Sequence, residues 1–184
     1  MKRAFIILLF LMVGCAPKAP WVQVGGLHNM ESQDFSVELP QGWMRVNQGD
    51  YLFITRDGFL LQYIRVIRLD IEQPLRYTKK KFSKSMLPQE VAEVILDNIS
   101  SDQNVLDFNL LENIPVKISG ISGFRAVYTY KNKDGLKIKG IYCGFITDKW
   151  FYGIHYSAAH RYYFDKDVKT FEKVLESFKL LKTA

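Results

Sequence analysis

The chain is poor in the residues that usually announce chemistry. Its 184 residues include two cysteines and three histidines. Nowhere is there a Gly-x-Ser-x-Gly elbow, a Ser-x-x-Lys pair, a His-Glu-x-x-His helix, a Cys-x-x-Cys pair, a Walker loop or a Gly-x-Gly-x-x-Gly turn. The common hydrolase, metalloprotease, thiol-redox and nucleotide-binding signatures are thereby excluded, though not an envelope hydrolase whose site carries no short motif. No apolar run reaches the ~20 residues that cross a bilayer as a helix. Charge of one sign is not concentrated either: 25 Lys and Arg against 19 Asp and Glu leave a formal +6, too little and too spread for a nucleic-acid partner. With 48% hydrophobic and 14% aromatic residues, the chain can still bury one core, and one domain is expected.

What the sequence does have starts at its N-terminus. Met1-Lys2-Arg3 precedes the apolar run Ala4 to Val13, followed by Gly14-Cys15, the order of a secretory leader. Leu11-Met12-Val13-Gly14-Cys15 resembles the bacterial lipobox, with Met12 where Leu is commoner. The resemblance implies cleavage after Gly14 and a diacylglyceryl group on Cys15, which would hold the protein on a membrane. Each buried CH₂ adds roughly 0.8 kcal/mol, so two acyl chains anchor where one does not. The alternative is an ordinary thiol near a conventional cleavage site. Ala16 stands where an Asp would signal inner-membrane retention, so the implied address is the bacterial cell envelope, on the periplasmic face of the outer membrane if the host is Gram-negative. With Cys15 acylated, Cys143 is left alone and the domain has no intramolecular disulfide.

Composition then divides the chain into a leader over 1–14, Cys15 and a tether over 15–33, and a domain over 34–184. The tether carries Pro17, Pro20 and Gly25-Gly26. Its Trp21 suits either the headgroup layer or packing on the domain. Alternation predicts a strand at Phe35–Leu39 ended by Pro40-Gln41-Gly42, then two strands joined at Asp57-Gly58. Pro88-Gln89-Glu90 starts a helix whose stripe Val91, Val94, Ile95 and Ile99 runs to about Ser100. Further strands are expected at 105–111, 115–119, 124–132, 136–147 and 150–157, the last three a meander turning at Asp134-Gly135 and Asp148-Lys149. A closing helix from about Asp165 presents Val168, Phe171, Val174, Leu175 and Phe178 on one face. The fold class is α+β, an antiparallel β-sheet with hairpins and a meander, packed with amphipathic helices.

The opening Phe35-Ser36-Val37-Glu38-Leu39-Pro40-Gln41-Gly42-Trp43, the step Ile118-Ser119-Gly120 through Tyr128, and the close Tyr163-Phe164 with Phe171 to Phe178 resemble PsbP-like domains. That fold includes a photosystem II extrinsic protein, a Ran-binding regulator and bacterial lipoproteins of the DcrB type. The resemblance covers roughly 34–181 and implies an architecture that serves unrelated non-enzymatic roles; it transfers no functional residue.

Candidate chemistry is sparse. Cys143 and His155 would make a nucleophile and base, but a two-residue loop at Asp148-Lys149 sets Cys143 opposite Ile154 and His155 opposite Tyr142. The two side chains then point to opposite faces, and Cys143 reads as a small buried hydrophobe. His155 and His160 lack a third ligand for zinc. Glu172 and Glu176 suit a solvated, ion-paired helix face. Neither a catalytic residue, a metal site nor a cofactor is expected. Lys79, Lys80, Lys81 and Lys84, and a second group at Lys131, Lys133, Lys137 and Lys139, would touch anionic lipid headgroups or simply solubilise loops.

Two-residue meander turns would place Phe124, Ala126, Tyr128, Ile141, Cys143, Phe145, Tyr152, Ile154 and Tyr156 on a core face. The other face would hold Arg125, Tyr142 and His155 around the glycine pair Gly144 and Gly153, a gap able to grip a small anionic ligand unless protein fills it. The expected role is a lipid-anchored, non-catalytic domain that binds such a ligand or an envelope protein. The alternatives are the motif-less hydrolase and a structural subunit of a membrane complex.

Overall fold

Alternating apolar and polar positions fold this chain into strands that share one large antiparallel sheet. The structure, a computed structural model, describes residues 21–46 and 51–181. The leader, Cys15 and the tether as far as Pro20 lie outside the described residues.

The strands are β1 (Trp21–Met30), β2 (Phe35–Val46), β3 (Leu52–Thr55), β4 (Gln62–Asp70), β5 (Leu106–Ile118), β6 (Ile121–Lys131), β7 (Lys137–Ile146), β8 (Trp150–Ala159) and the short β9 (Lys179–Leu180). Helix α1 (Pro88–Ser100) lies between β4 and β5, and α2 (Tyr163–Ser177) between β8 and β9. Their spatial order is β1-β2-β3-β4-β8-β7-β6-β5, with β9 pairing β2 beside that path. This is the antiparallel α+β architecture expected.

Several boundaries moved. Residues 21–30, expected as tether, form β1 and pair along β2 from Trp21 opposite Val46 to Met30 opposite Phe35. Gly25 and Gly26, which resemble a flexible linker in sequence, lie at the irregularity where Val24 faces Trp43 and Gly26 faces Leu39. That irregularity absorbs Pro40-Gln41-Gly42, so β2 passes through the expected breaker. The strands expected at 105–111 and 115–119 are the single strand β5, whose Pro115 is tolerated at the sheet edge.

The hairpin at Asp57-Gly58 is real, but its last pairs are Ile54 with Ile64 and Phe53 with Arg65, so the turn is wider than two residues. Helix α1 spans the expected residues, with Pro88 in the first turn and the Glu90 carboxylate accepting the Leu87 N–H at 2.7 Å. Helix α2 starts at Tyr163 rather than at an Asp165 cap. Asp167, fully buried, secures it through Arg56 at 2.8 Å and Gln62 at 3.1 Å.

Each helix covers one face of the sheet. On the first, Ile64, Val66, Ile141, Cys143, Phe145, Ile154 and Tyr156 pack against Phe164, Phe171 and Val174 of α2 and the following Phe178. On the second, Phe124, Ala126, Tyr128, Tyr142 and Phe151 pack against Val91, Ala92, Ile95 and Leu96 of α1 and against Phe82 before it.

Candidate functional site

The β7–β8 register follows the two-residue turn: Tyr142 faces His155, Cys143 faces Ile154 and Gly144 faces Gly153. Cys143 and His155 therefore stand on opposite faces. Burial pushes the Cys143 thiol up to about 12 despite the nearby Arg125, so it stays protonated and unreactive.

The β6–β7 register does not follow the expected turn, and this corrects the proposed site. Lys131 pairs with Lys137, leaving a loop over 132–136. Asn132 builds it, its side-chain oxygen accepting the Asp134 N–H at 3.1 Å and the Leu136 N–H at 2.8 Å. One residue of slip turns every β6 side chain over. Phe124, Ala126 and Tyr128 join Tyr142 and His155, while Arg125 crosses to the α2 face. There its guanidinium lies 2.8 Å from Glu172 and 3.6 Å from Glu112. Arg125 is a structural ion-pair partner of α2, away from Tyr142 and His155.

The glycine gap is also closed. A Cβ on Gly144 would come within 2.8 Å of the Phe151 ring, and one on Gly153 within 2.5 Å of the Tyr142 hydroxyl. Phe151 and Tyr142 lie across the paired glycines, and Phe82 stacks on Phe151 at 4.6 Å. The small residues make room for flat rings.

A cavity of about 420 Å³ opens beside this packed patch, between β4, β8, β7 and β6 below and the 70–77 segment and the end of α1 above. Tyr142 and His155 line it with Arg65 of β4, at a place other than the glycine gap where Tyr142, His155 and Arg125 were expected. Arg65 pairs with His155 across β4–β8, which puts both side chains on one face. An arginine flanked by Ile64 and Val66 in a central strand was the signal in the sequence that could have found it.

Arg65 and Arg76 line this cavity together with Asp70 and Asp102. The groups around the Arg65 guanidinium are tyrosines: burial works against its charge, and the phenols of Tyr142, Tyr63, Tyr128 and Tyr51 favour it, with a net rise. Its Nε is buried without a hydrogen-bond partner among the described residues. His155 is 5% exposed, stacked on Tyr142 at 4.9 Å and edge-on to Tyr63 at 5.4 Å.

The Tyr128 hydroxyl lies 2.7 Å from His155 Nε2. Tyr128 is buried, and burial raises its pKa well above the usual range, so the phenol keeps its proton and donates it to Nε2. Assigned this way, Nδ1 carries the ring hydrogen, and it too is buried without a partner among the described residues. Burial first, and Arg65 second, hold His155 well below its ordinary value and therefore neutral. Burial likewise pushes the Tyr142 and Tyr130 phenols up to about 12. Arg65 Nε and His155 Nδ1 are thus two buried donors without a partner among the described residues, in residues that line the pocket among aromatic rings.

The basic cluster before α1 lies on the surface. Lys80 pairs with Asp97 at 2.7 Å, Lys81 stands 3.9 Å from Glu72, Lys84 stands 3.9 Å from Asp148, and Lys79 donates to the Arg76 carbonyl. The three charged pairs are exposed and worth little each. Among the described residues no three His, Cys, Asp or Glu side chains come together as a metal site requires, and no helix is long and apolar enough to cross a membrane.

Neither a family model nor a curated protein sequence matches the chain. Solved structures do. Cyanobacterial PsbP (CyanoP) of Synechocystis is similar with a TM-score of 0.58 at 14% identity, over 91% of this chain and 96% of that one. The Ran-binding protein Mog1p of Saccharomyces cerevisiae is similar with a TM-score of 0.58 at 8% identity, over 87% and 97%. LpqN of Mycobacterium tuberculosis, involved in cell envelope biogenesis, is similar with a TM-score of 0.50 at 13% identity, over 88% and 90%. The chain also spans about half, 49%, of a Bacteroides thetaiotaomicron protein, with a TM-score of 0.55 at 12% identity over 86% of this chain. The fold is PsbP-like.

Proposed function

We propose that this is a lipid-anchored protein of the bacterial cell envelope whose PsbP-like domain binds a small anionic ligand without covalent chemistry. The carrying observation is that Arg65 and His155, paired across β4–β8, both line a pocket rich in tyrosine and each keep a buried donor without a partner among the described residues. An unpaired buried donor costs about 1–3 kcal/mol, a penalty that a carboxylate accepting both hydrogen bonds would remove. The surrounding Tyr63, Tyr130 and Tyr142 rings suit an apolar or planar body behind that carboxylate.

The lipobox-like Cys15 and the similarity to LpqN support the envelope address, and the similarity to a Ran-binding protein and to PsbP supports a binding role. A second reading, an accessory subunit of a membrane complex, is favoured by the edge strand β5, where Leu106, Leu110, Leu111 and Ile114 are all exposed.

Calorimetric titration of the full-length protein with an aryl carboxylate, a medium-chain fatty acid and inorganic phosphate tests the ligand class. Saturable binding of a carboxylate that Arg65→Met abolishes and Arg65→Lys weakens is expected. Equal binding by wild type and Arg65→Met, or no binding of any of the three anions, would overturn it.

A further inference from the structure

The second face of the sheet is covered unevenly. Helix α1 packs on β5, β6 and β7, and on the β1–β4 half of that face only Leu69, near the end of β4, packs against an apolar core among the described residues. Rings line up there instead. Trp21 lies 6.5 Å from Phe53, Tyr51 lies 6.5 Å from Phe53, and Phe53 stacks on Tyr63 at 5.0 Å. The register places them together: Trp21 stands opposite Val46 across β1–β2, and Phe53 opposite Arg65 across β3–β4. All are partly or fully exposed. The strip of this half-face that runs through Trp21, Gln23, Met44, Phe53, Tyr63 and Arg65 carries no Asp or Glu; the exposed Glu38 lies farther along β2, opposite Leu27.

Covalent geometry says what such a surface meets. Trp21 follows Cys15 by six residues, and six residues span at most about 21 Å when fully extended. A bilayer that holds acyl chains on Cys15 therefore lies within that reach of Trp21. Trp and Tyr favour the headgroup layer, where an apolar ring and a polar tip are both satisfied, and the aromatic strip itself carries no acid to repel anionic lipid. The opposite face of the same strands is closed by α2.

We propose that the β1–β4 half of this face is the surface on which the domain rests against the bilayer, with Trp21, Tyr51 and Phe53 in the headgroup layer. The proposal rests on acylation of Cys15 and is independent of any ligand in the pocket. Tyr63 belongs to both the aromatic row and the pocket lining, so a bilayer seated on the row lies at the pocket's rim.

Tryptophan quenching reads the orientation directly. Trp43 is 2% exposed, and Trp150 packs with the core on the α2 side, so Trp21 is the tryptophan a bilayer on this face would reach. The full-length acylated protein is reconstituted into vesicles of phosphatidylethanolamine and phosphatidylglycerol brominated near the headgroup end of the acyl chains. Loss of the Trp21 component of emission is expected, with Trp21→Phe removing the quenchable signal and Trp150→Phe leaving it. Protein that sediments with the vesicles while Trp21 emission is unquenched overturns the orientation and leaves the anchor standing. Protein that fails to sediment, with Cys15 unmodified by mass, overturns the anchor and the orientation together.

Discussion

The two faces of the sheet are made by the same strands and built for different ends. Under α2 the side chains are Ile64, Val66, Ile141, Phe145, Ile154 and their neighbours, closed over by Phe171 and Val174. The opposite face carries Arg65, Tyr63, Tyr128, Tyr142 and His155, and α1 covers it only in part. The α2 face is sealed because its few polar groups find partners inside it, as the Tyr156 hydroxyl does on the Tyr163 and Phe164 carbonyls, whereas the opposite face buries a guanidinium Nε and an imidazole Nδ1 that have no partner among the described residues, beside a cavity.

The sharpest test of this contrast is a core truncation under α2. Phe171 is fully buried, and Phe171→Ala is expected to cost about 3–5 kcal/mol, measured from the urea unfolding midpoint; a small loss would show that the α2 face is no true core. On the opposite face, Gly144→Ala drives a methyl into the Phe151 ring and the Tyr152 carbonyl, at 2.8 and 2.9 Å. A loss of about 1–3 kcal/mol is expected from overpacking. A neutral result would mean that the glycine pair is open.

The pH dependence separates the faces further. His155 is neutral in the fold because its pKa lies well below its ordinary 6.5, so below that value the unfolded chain binds a proton that the folded one does not. Stability is therefore present above about pH 6.5 and falls as pH drops toward the folded pKa, by at most about 1.4 kcal/mol per pH unit for one proton. His155→Phe should flatten the melting temperature between pH 7 and 5.5 relative to wild type. An unchanged slope would remove the neutral histidine from the account.

The smallest stability effect is expected at Arg65. Replacing a charge that has no acidic partner among the described residues with an apolar side chain of similar length costs little or stabilises. Arg65→Met should stay within about 1 kcal/mol of wild type or exceed it, while anion binding is lost. Destabilisation on the scale of Phe171→Ala would make Arg65 part of the core rather than of a site.

Much of the scaffold was legible because it is written locally. Pro88 and the stripe Val91 to Ile99 define α1 without reference to any other element, and Asp148-Lys149 sets the β7–β8 register through a single short turn. Of the residues expected around the glycine pair, Tyr142 and His155 share a face as the β7–β8 turn dictates, and Arg125 does not. Asn132 is the cause. Its Asx geometry widens the β6–β7 turn, and one residue of slip carries Arg125 to the α2 face. The strand at 21–30 was missed because its Gly25-Gly26 step suggests a linker until β2 is laid beside it.

Alternation and turn residues, which depend on neighbours a few positions away, settled by themselves that this chain makes an antiparallel sheet with two amphipathic helices, and which side chains within a strand share a face. Contacts between distant segments decided the rest. The β4–β8 pairing brings Arg65 beside His155, α1 stops short of β1–β4, and Phe151 and Tyr142 fill the space left by paired glycines. Period-two alternation orders the side chains of a single strand; which strand lies beside it, and in what register, is set by turn geometry and by closure of the whole sheet.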